Sequence, residues 1–417
     1  MSVAQNNIIK INAKLNFQKW EIQMQQEIKY YNNSNDILDT LYFHNWANSY
    51  KNRRTPLSKR LIEDYDKSLY FAKVNTRGFS DIKGISRNNL PTKWEIDKNS
   101  PDIIRVILDN GLQPNDSTTI SLTYVVKVPE DIFTRYGRVN NTYNLRFWYI
   151  TPVVYDQDWH FMSNLNMDDL YMDPADYIIN LTTPEGINVN TDLELSKTVD
   201  TPYNTYHLTG KNRVDIELNI TVFNDFKTFK TEPVQVITNL NGTILEDQIK
   251  TDIISRELSF IETHLGSYPH DKLLVNRISY DKNPIYGLNQ LPKMFNPFSG
   301  AFEWDIKMFK ALTRKYLENT VLVNRRKDAW ILDGIQTFLM IKYVEQFYPE
   351  INAMGNISNF WGIRNYSIAK LKFNDKYPFV YQFAARKNYD QALNISTDSL
   401  SNFNRKNRPK KVFVANL

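Results

Sequence analysis

The sequence contains no cysteine, which excludes disulfide bridges, thiolate metal sites and thiol nucleophiles together. The compartment stays open, because an exported protein need not carry disulfides. No run of about 18 apolar residues occurs, so no segment reads as a helix that spans a bilayer. Histidine is scarce: the five are His44, His160, His207, His264 and His270. Only His264 and His270 lie close together, and the intervening Pro269 keeps them off a common helical face. Neither a G-x-S-x-G nucleophile elbow nor a G-x-x-x-x-G-K-[ST] phosphate loop is present. Long tracts of one charge are missing as well. The net charge of +5 comes from 51 basic and 46 acidic residues, interspersed until the basic C-terminal stretch NRKNRPKKVFVANL. This pattern offers no stripe for a nucleic-acid backbone, and no nucleic-acid partner is expected.

What is present suits two hydrophobic cores. A chain of 417 residues, 42% of them hydrophobic and 13% aromatic, exceeds the size of one small domain and divides most naturally in two. Its first residues carry a separate signal. Ser2-Val3-Ala4-Gln5 has the small-x-small pattern that ends a signal peptide, without the charged and apolar segment that would precede it. Two readings stand: an ordinary polar N-terminus, or a start inside a longer reading frame whose product is exported to the periplasm or cell envelope.

Residues 8 to about 212 read as β. Trp20, Ile22, Met24, Ile28 and Tyr30 share one parity in a run interrupted by Gln26, and Ile120, Leu122, Tyr124, Val126 and Val128 alternate without a miss. Turn clusters such as Asn32-Asn33-Ser34-Asn35-Asp36 and Gln113-Pro114-Asn115-Asp116 separate the runs. Many short strands with polar turns predict an antiparallel sandwich or saddle-shaped sheet. Within VYDQDWHF, strand alternation would set Asp156, Asp158 and His160 on one face as a metal cluster, but a segment following Pro152 reads better as a polar loop.

Beyond about residue 250 the period changes. Ile254, Leu258, Ile261 and Leu265 recur at helical spacing after a possible cap at Asp252, and Gly266 and Pro269 close the segment. Residues 273 to 278, LLVNRI, suit a buried strand. A second helix carries Ile306, Phe309, Leu312 and Tyr316, and a third runs from about Ile331 to Phe347, ending before Pro349. The expected architecture is multidomain α+β, with a β domain over 1–212 and a mainly helical domain over 213–417.

Trp330-Ile331-Leu332-Asp333-Gly334-Ile335-Gln336-Thr337-Phe338 resembles the W-L-N-E-G-F-A-x-Y segment of the M1 family of zinc aminopeptidases, gluzincins with a thermolysin-like domain. Leu265-Gly266-Ser267-Tyr268-Pro269, followed by Lys272-Leu273-Leu274-Val275, is similar to the family's G-x-Y-P and the strand after it. Ala175-Asp176-Tyr177-Ile178-Ile179-Asn180 through Pro184-Glu185-Gly186 resembles late strands of its N-terminal β domain. The resemblance covers most of residues 8 to 390. It implies a thermolysin-like helical half that stops short of the family's further helical domain, as in a fragment.

The resemblance also implies where the chemistry should lie. The family holds one zinc with two His of an H-E-x-x-H helix and a Glu of the next helix, and the Glu beside the first His serves as general base. Counting back from Asp333 over the 18 residues that separate it from Arg314 maps the pentad onto Lys310-Ala311-Leu312-Thr313-Arg314. Lys310 and Arg314 then take the imidazole positions, Asp333 that of the third ligand and Ala311 that of the base. An ammonium and a guanidinium offer no lone pair, so no zinc cofactor is expected. Two readings of the three charged residues stand: a cation of the first helix pairs with Asp333 where the metal joined the two helices, or all three face water.

The family's G-x-M-E-N loop maps loosely onto Gly287-Leu288-Asn289-Gln290, with Gln290 near the Glu that binds a substrate amine; an ordinary loop is the other reading. Tyr381 in FVYQFAARKNY stands where the family has a transition-state Tyr, or is a core aromatic. The expected function is that of a non-catalytic peptidase-fold protein, a pseudoenzyme with a degenerate H-E-x-x-H that binds peptide or serves as a scaffold. The alternative is an active aminopeptidase with an unrecognised metal site.

Overall fold

The computed structural model describes residues 5–241, 245–285, 288 and 296–407. The chain divides into two compact units, Met1–Asn224 and Asp225–Leu417. The expected boundary after residue 212 falls inside strand Tyr203–Arg213. The chain then adds strand Glu217–Thr221, buried along its whole length, before the first unit ends.

An eight-stranded sheet organises the first unit. Its order is Glu194–Asp200, Tyr203–Arg213, Ala175–Pro184, Asn7–Asn16, Glu21–Tyr31, Ser117–Lys127, Phe79–Arg87 and Leu90–Pro91. Neighbours are antiparallel with one exception, which corrects the all-antiparallel expectation: Asn7–Asn16 runs parallel to Ala175–Pro184, with Ile9 opposite Tyr177. A parallel pair needs a long connection, and more than a hundred residues of chain supply it here. Two four-stranded sheets, one of them pairing Leu38–His44 with Ile103–Leu112, and a short hairpin of Tyr155–Asp156 with Asp158–Trp159 complete the sheets of the unit.

The alternation seen in the sequence is the alternation of burial. Ile22, Met24, Ile28 and Tyr30 face the core, and so does Gln26, whose apparent break in the pattern is a buried polar anchor. Its side-chain nitrogen donates to the Ile150 carbonyl at 2.6 Å, while its oxygen accepts from the Tyr124 hydroxyl and from the Ile150 amide. A buried amide with both ends paired avoids the desolvation cost that would otherwise exclude it. Trp20 departs from the expected strand: it sits in the preceding turn at φ +54°, with the Arg138 guanidinium 3.8 Å from its ring centre.

The second unit places helices around a small sheet of Lys227–Phe229, Gln235–Thr238 and Lys272–Val275. The first long helix, Asp247–Leu265, begins five residues before the expected cap Asp252 and ends at Gly266, whose φ of +84° disfavours any side chain. The predicted strand over 273–278 stops at Val275, because the Asn276 side chain accepts from the Ile278 amide at 3.1 Å and caps helix Arg277–Asp281. The next two helices are Gly300–Thr320, capped by Ser299, and Ala329–Phe347. Ile254, Leu258, Phe260, Phe309, Leu312, Tyr316, Leu339 and Tyr343 belong to one hydrophobic core. No described helix is long and apolar enough to cross a membrane.

Candidate functional site

Helices Gly300–Thr320 and Ala329–Phe347 bring the singled-out residues together. Arg314 follows Lys310 by one helical turn, so the two share a face. Arg314 reaches across to the second helix, its Nη1 donating to Asp333 Oδ1 at 2.9 Å. The Asp333 side chain is 4% exposed and that of Arg314 21%, so this ion pair is largely out of water. Arg314 Nε donates as well to Glu318 Oε1 at 2.8 Å, one turn further along its own helix. One guanidinium thus holds two nearly buried carboxylates, a use of its fixed fork that lysine does not match.

Lys310 takes a different course. Its Nζ donates to the Asn283 carbonyl at 2.6 Å, and its own backbone carbonyl accepts from Gln336 Nε2 at 2.8 Å. That second bond again joins the two helices. Ala311 is buried and contributes packing with no titratable group. The Thr337 hydroxyl donates to the Asp333 carbonyl at 2.7 Å. A divalent cation needs lone pairs, and of Lys310, Arg314 and Asp333 only Asp333 has them, with one oxygen already accepting from Arg314. These side chains do not fit a zinc site. Among the described residues no group of three or more His, Cys, Asp or Glu is arranged to hold a metal ion.

The remaining sequence candidates are dispersed. Tyr381 is half-buried on helix Lys376–Arg386, a separate element between the exposed Phe379 and Phe383. Gln290 lies outside the described residues. Asp156 and Asp158 face each other in a two-residue hairpin turned by Gln157 at φ +62°, where a loop was expected.

Glu318 and Gln336 were missed in the sequence. The first was discoverable as an i,i+4 partner of Arg314, and the second was not, since its acceptor is a backbone carbonyl. A second ionic junction was also missed. Asp305 is buried and accepts from Arg256 Nη2, from the Tyr348 hydroxyl and from the Tyr343 hydroxyl at 2.8 Å. Glu257 is fully buried, with its carboxyl group against that of Asp305. Burial, and then the neighbouring Asp305 carboxylate, push the Glu257 carboxyl well above the usual carboxylate range.

No protein-family model matches the chain, and no curated protein does. Solved structures do. An M1 zinc metallopeptidase of Deinococcus radiodurans, in a point-mutant form, superposes with a TM-score of 0.52 at 11% identity over 98% of this chain and 86% of its own. The same enzyme without the mutation matches with 0.50 at 12% identity over 99% and 86%. A two-domain M1 zinc metallopeptidase mutant bound to L-tryptophan matches with 0.51 at 11% identity over 98% and 88%. At such identity the likeness speaks for the fold alone. The chain has an M1 aminopeptidase-like fold: a multi-sheet β region followed by a helical region.

Proposed function

We propose that this chain is a non-catalytic protein on the M1 metallopeptidase fold, in which an arginine–carboxylate junction takes the structural part of the zinc centre. The observation that carries the reading is the Arg314 guanidinium on Asp333 Oδ1 at 2.9 Å, between the two helices that the sequence resemblance assigns to the metal. In this reading the thermolysin-like half has exchanged its ligand set for a cross-helix ion pair, and Ala311 stands where a general base is needed. Such a site lacks the Lewis acid and the base that peptide hydrolysis requires.

Peptide binding is the function that such a fold retains, because shape and backbone hydrogen bonding do not depend on the metal. The neighbour bound to L-tryptophan supports an amino-acid-sized or peptide ligand as the class to test. The test is elemental analysis of protein purified without a metal-affinity tag, before and after incubation with zinc, together with hydrolysis of aminoacyl-coumarin substrates. No stoichiometric zinc and no hydrolysis are expected. Stoichiometric zinc or turnover lost on chelation would overturn the reading in favour of an active metallopeptidase with other ligands.

A further inference from the structure

Between strands Leu38–His44 and Phe79–Arg87 of the first unit the chain leaves the sheets and builds a small helical cap over residues 51–77. It consists of helix Pro56–Glu63 and the single turn Ser68–Phe71, with Leu57, Leu61 and Leu69 in a separate small core with Tyr50 and Phe133. The cap holds eight basic and three acidic residues, an excess of five that equals the net charge of the whole chain. Lys51, Arg53, Arg54, Lys59, Lys67 and Lys73 are exposed. Two of the three acids are engaged within the cap: Glu63 lies 3.5 Å from the buried Arg60, and Asp66 accepts from the Ser68 amide at 2.8 Å. The outer field of the cap is therefore positive.

Apolar side chains stand among these cations. Tyr65, Phe71 and Val74 are exposed, Tyr65 to 87%. Tyr65 follows helix Pro56–Glu63 at φ +63°, a left-handed conformation that glycine or asparagine would meet at lower cost. With its ring in water, burial within the chain offsets little of that cost. The Tyr70 ring meets Phe71 edge-on at 5.0 Å and has the Arg53 guanidinium 5.7 Å from its centre, so cation and aromatic lie side by side. Duplex nucleic acid would use the cations, through phosphate contacts, and leave the apolar groups without a role. An anionic bilayer surface uses both: headgroup charge draws Lys and Arg, and the interface takes up Tyr, Phe and Val.

We propose that the cap over residues 51–77 docks the chain on an anionic bilayer surface, with Phe71 and Val74 entering the headgroup region and Lys67 and Lys73 facing the lipid anions. The contact is peripheral. It uses neither Arg314 nor Asp333 and is independent of the peptidase-fold reading.

The experiment is sedimentation of the full chain with vesicles of phosphatidylcholine alone and of an equimolar mixture of phosphatidylcholine and phosphatidylserine. The mixed vesicles should carry the protein down, less so as salt is raised, and the neutral ones should leave it in solution. Lys67→Gln with Lys73→Gln, and separately Phe71→Ser with Val74→Ser, should each weaken binding about tenfold. All four positions are exposed, and circular dichroism reports that the variants are folded. Phe223→Ser, at a likewise exposed residue of the same unit outside the cap, should leave binding unchanged. No sedimentation with about 1 mM mixed lipid, equal sedimentation with neutral vesicles, or unchanged binding in either double variant overturns the proposal. So does a loss in Phe223→Ser as large as that in Phe71→Ser with Val74→Ser. Binding of duplex DNA in place of vesicles overturns it in favour of a nucleic-acid partner.

Discussion

Two arginines of the helical unit each tie helices together through carboxylates, and the two junctions balance charge differently. At Arg314 one guanidinium meets Asp333 and Glu318, and both acids find a hydrogen bond. At Arg256 the guanidinium and two tyrosine hydroxyls converge on Asp305, and the second acid, Glu257, is buried against the Asp305 carboxylate. Burial and that neighbouring carboxylate both favour the protonated form of Glu257, because uncompensated charge in the interior is costly. The first junction therefore acts as an ionic clasp. The second couples packing to proton binding.

The largest effect is expected where most groups lose their partner at once. Asp305→Ala removes the acceptor for Arg256, Tyr343 and Tyr348, and urea denaturation should show a loss of about 3–5 kcal/mol. A loss under about 1 kcal/mol would mean that the cluster is held by aromatic packing, as in the stacking of Phe309 on Tyr343 at 3.9 Å.

Asp333→Ala should cost somewhat less, about 3 kcal/mol, because Arg314 is one-fifth exposed and keeps Glu318. The triple variant Arg314→Met, Glu318→Gln, Asp333→Leu should recover most of that loss, since all three charges of the junction are then removed together. Equal instability of single and triple variants would show that the junction acts through shape alone.

The smallest effect sharpens the contrast through pH. The Glu257 carboxyl in the folded chain is raised above its ordinary value of 4.5. Its contribution to stability is thus fully present below that value and is lost as pH rises through the higher folded-state pKa. Glu257→Gln carries no such proton, so its melting temperature relative to the parent should increase between pH 5 and pH 9. A difference that is flat across this range would place a charge partner on Glu257.

Much of the β unit was legible because its strands are half-buried, and a period of two in the residues is a period of two in burial. The 22–30 and 120–126 runs lie on neighbouring strands of one sheet. What the pattern left out is the polar content of the core: Gln26 reads as a break and proves to be an anchor. In the helical unit the spacing of Ile254, Leu258 and Ile261, or of Phe309, Leu312 and Tyr316, marks the helices. Their starts were read less well because caps depend on which side chain meets which amide. Ser299 caps its helix, and the expected Asp252 lies inside one.

The sequence by itself determined the two-part architecture and the residue types at Lys310, Arg314 and Asp333, and with them the poverty of lone pairs at those positions, since donor chemistry belongs to the side chain wherever it is placed. Which cation meets Asp333, the burial of Glu257 beside Asp305, and the use of Gln26 to anchor the Ile150 backbone were decided by tertiary structure alone. These are contacts between residues 19 to 124 positions apart, and their energies depend on distance and exclusion of water, neither of which local sequence records.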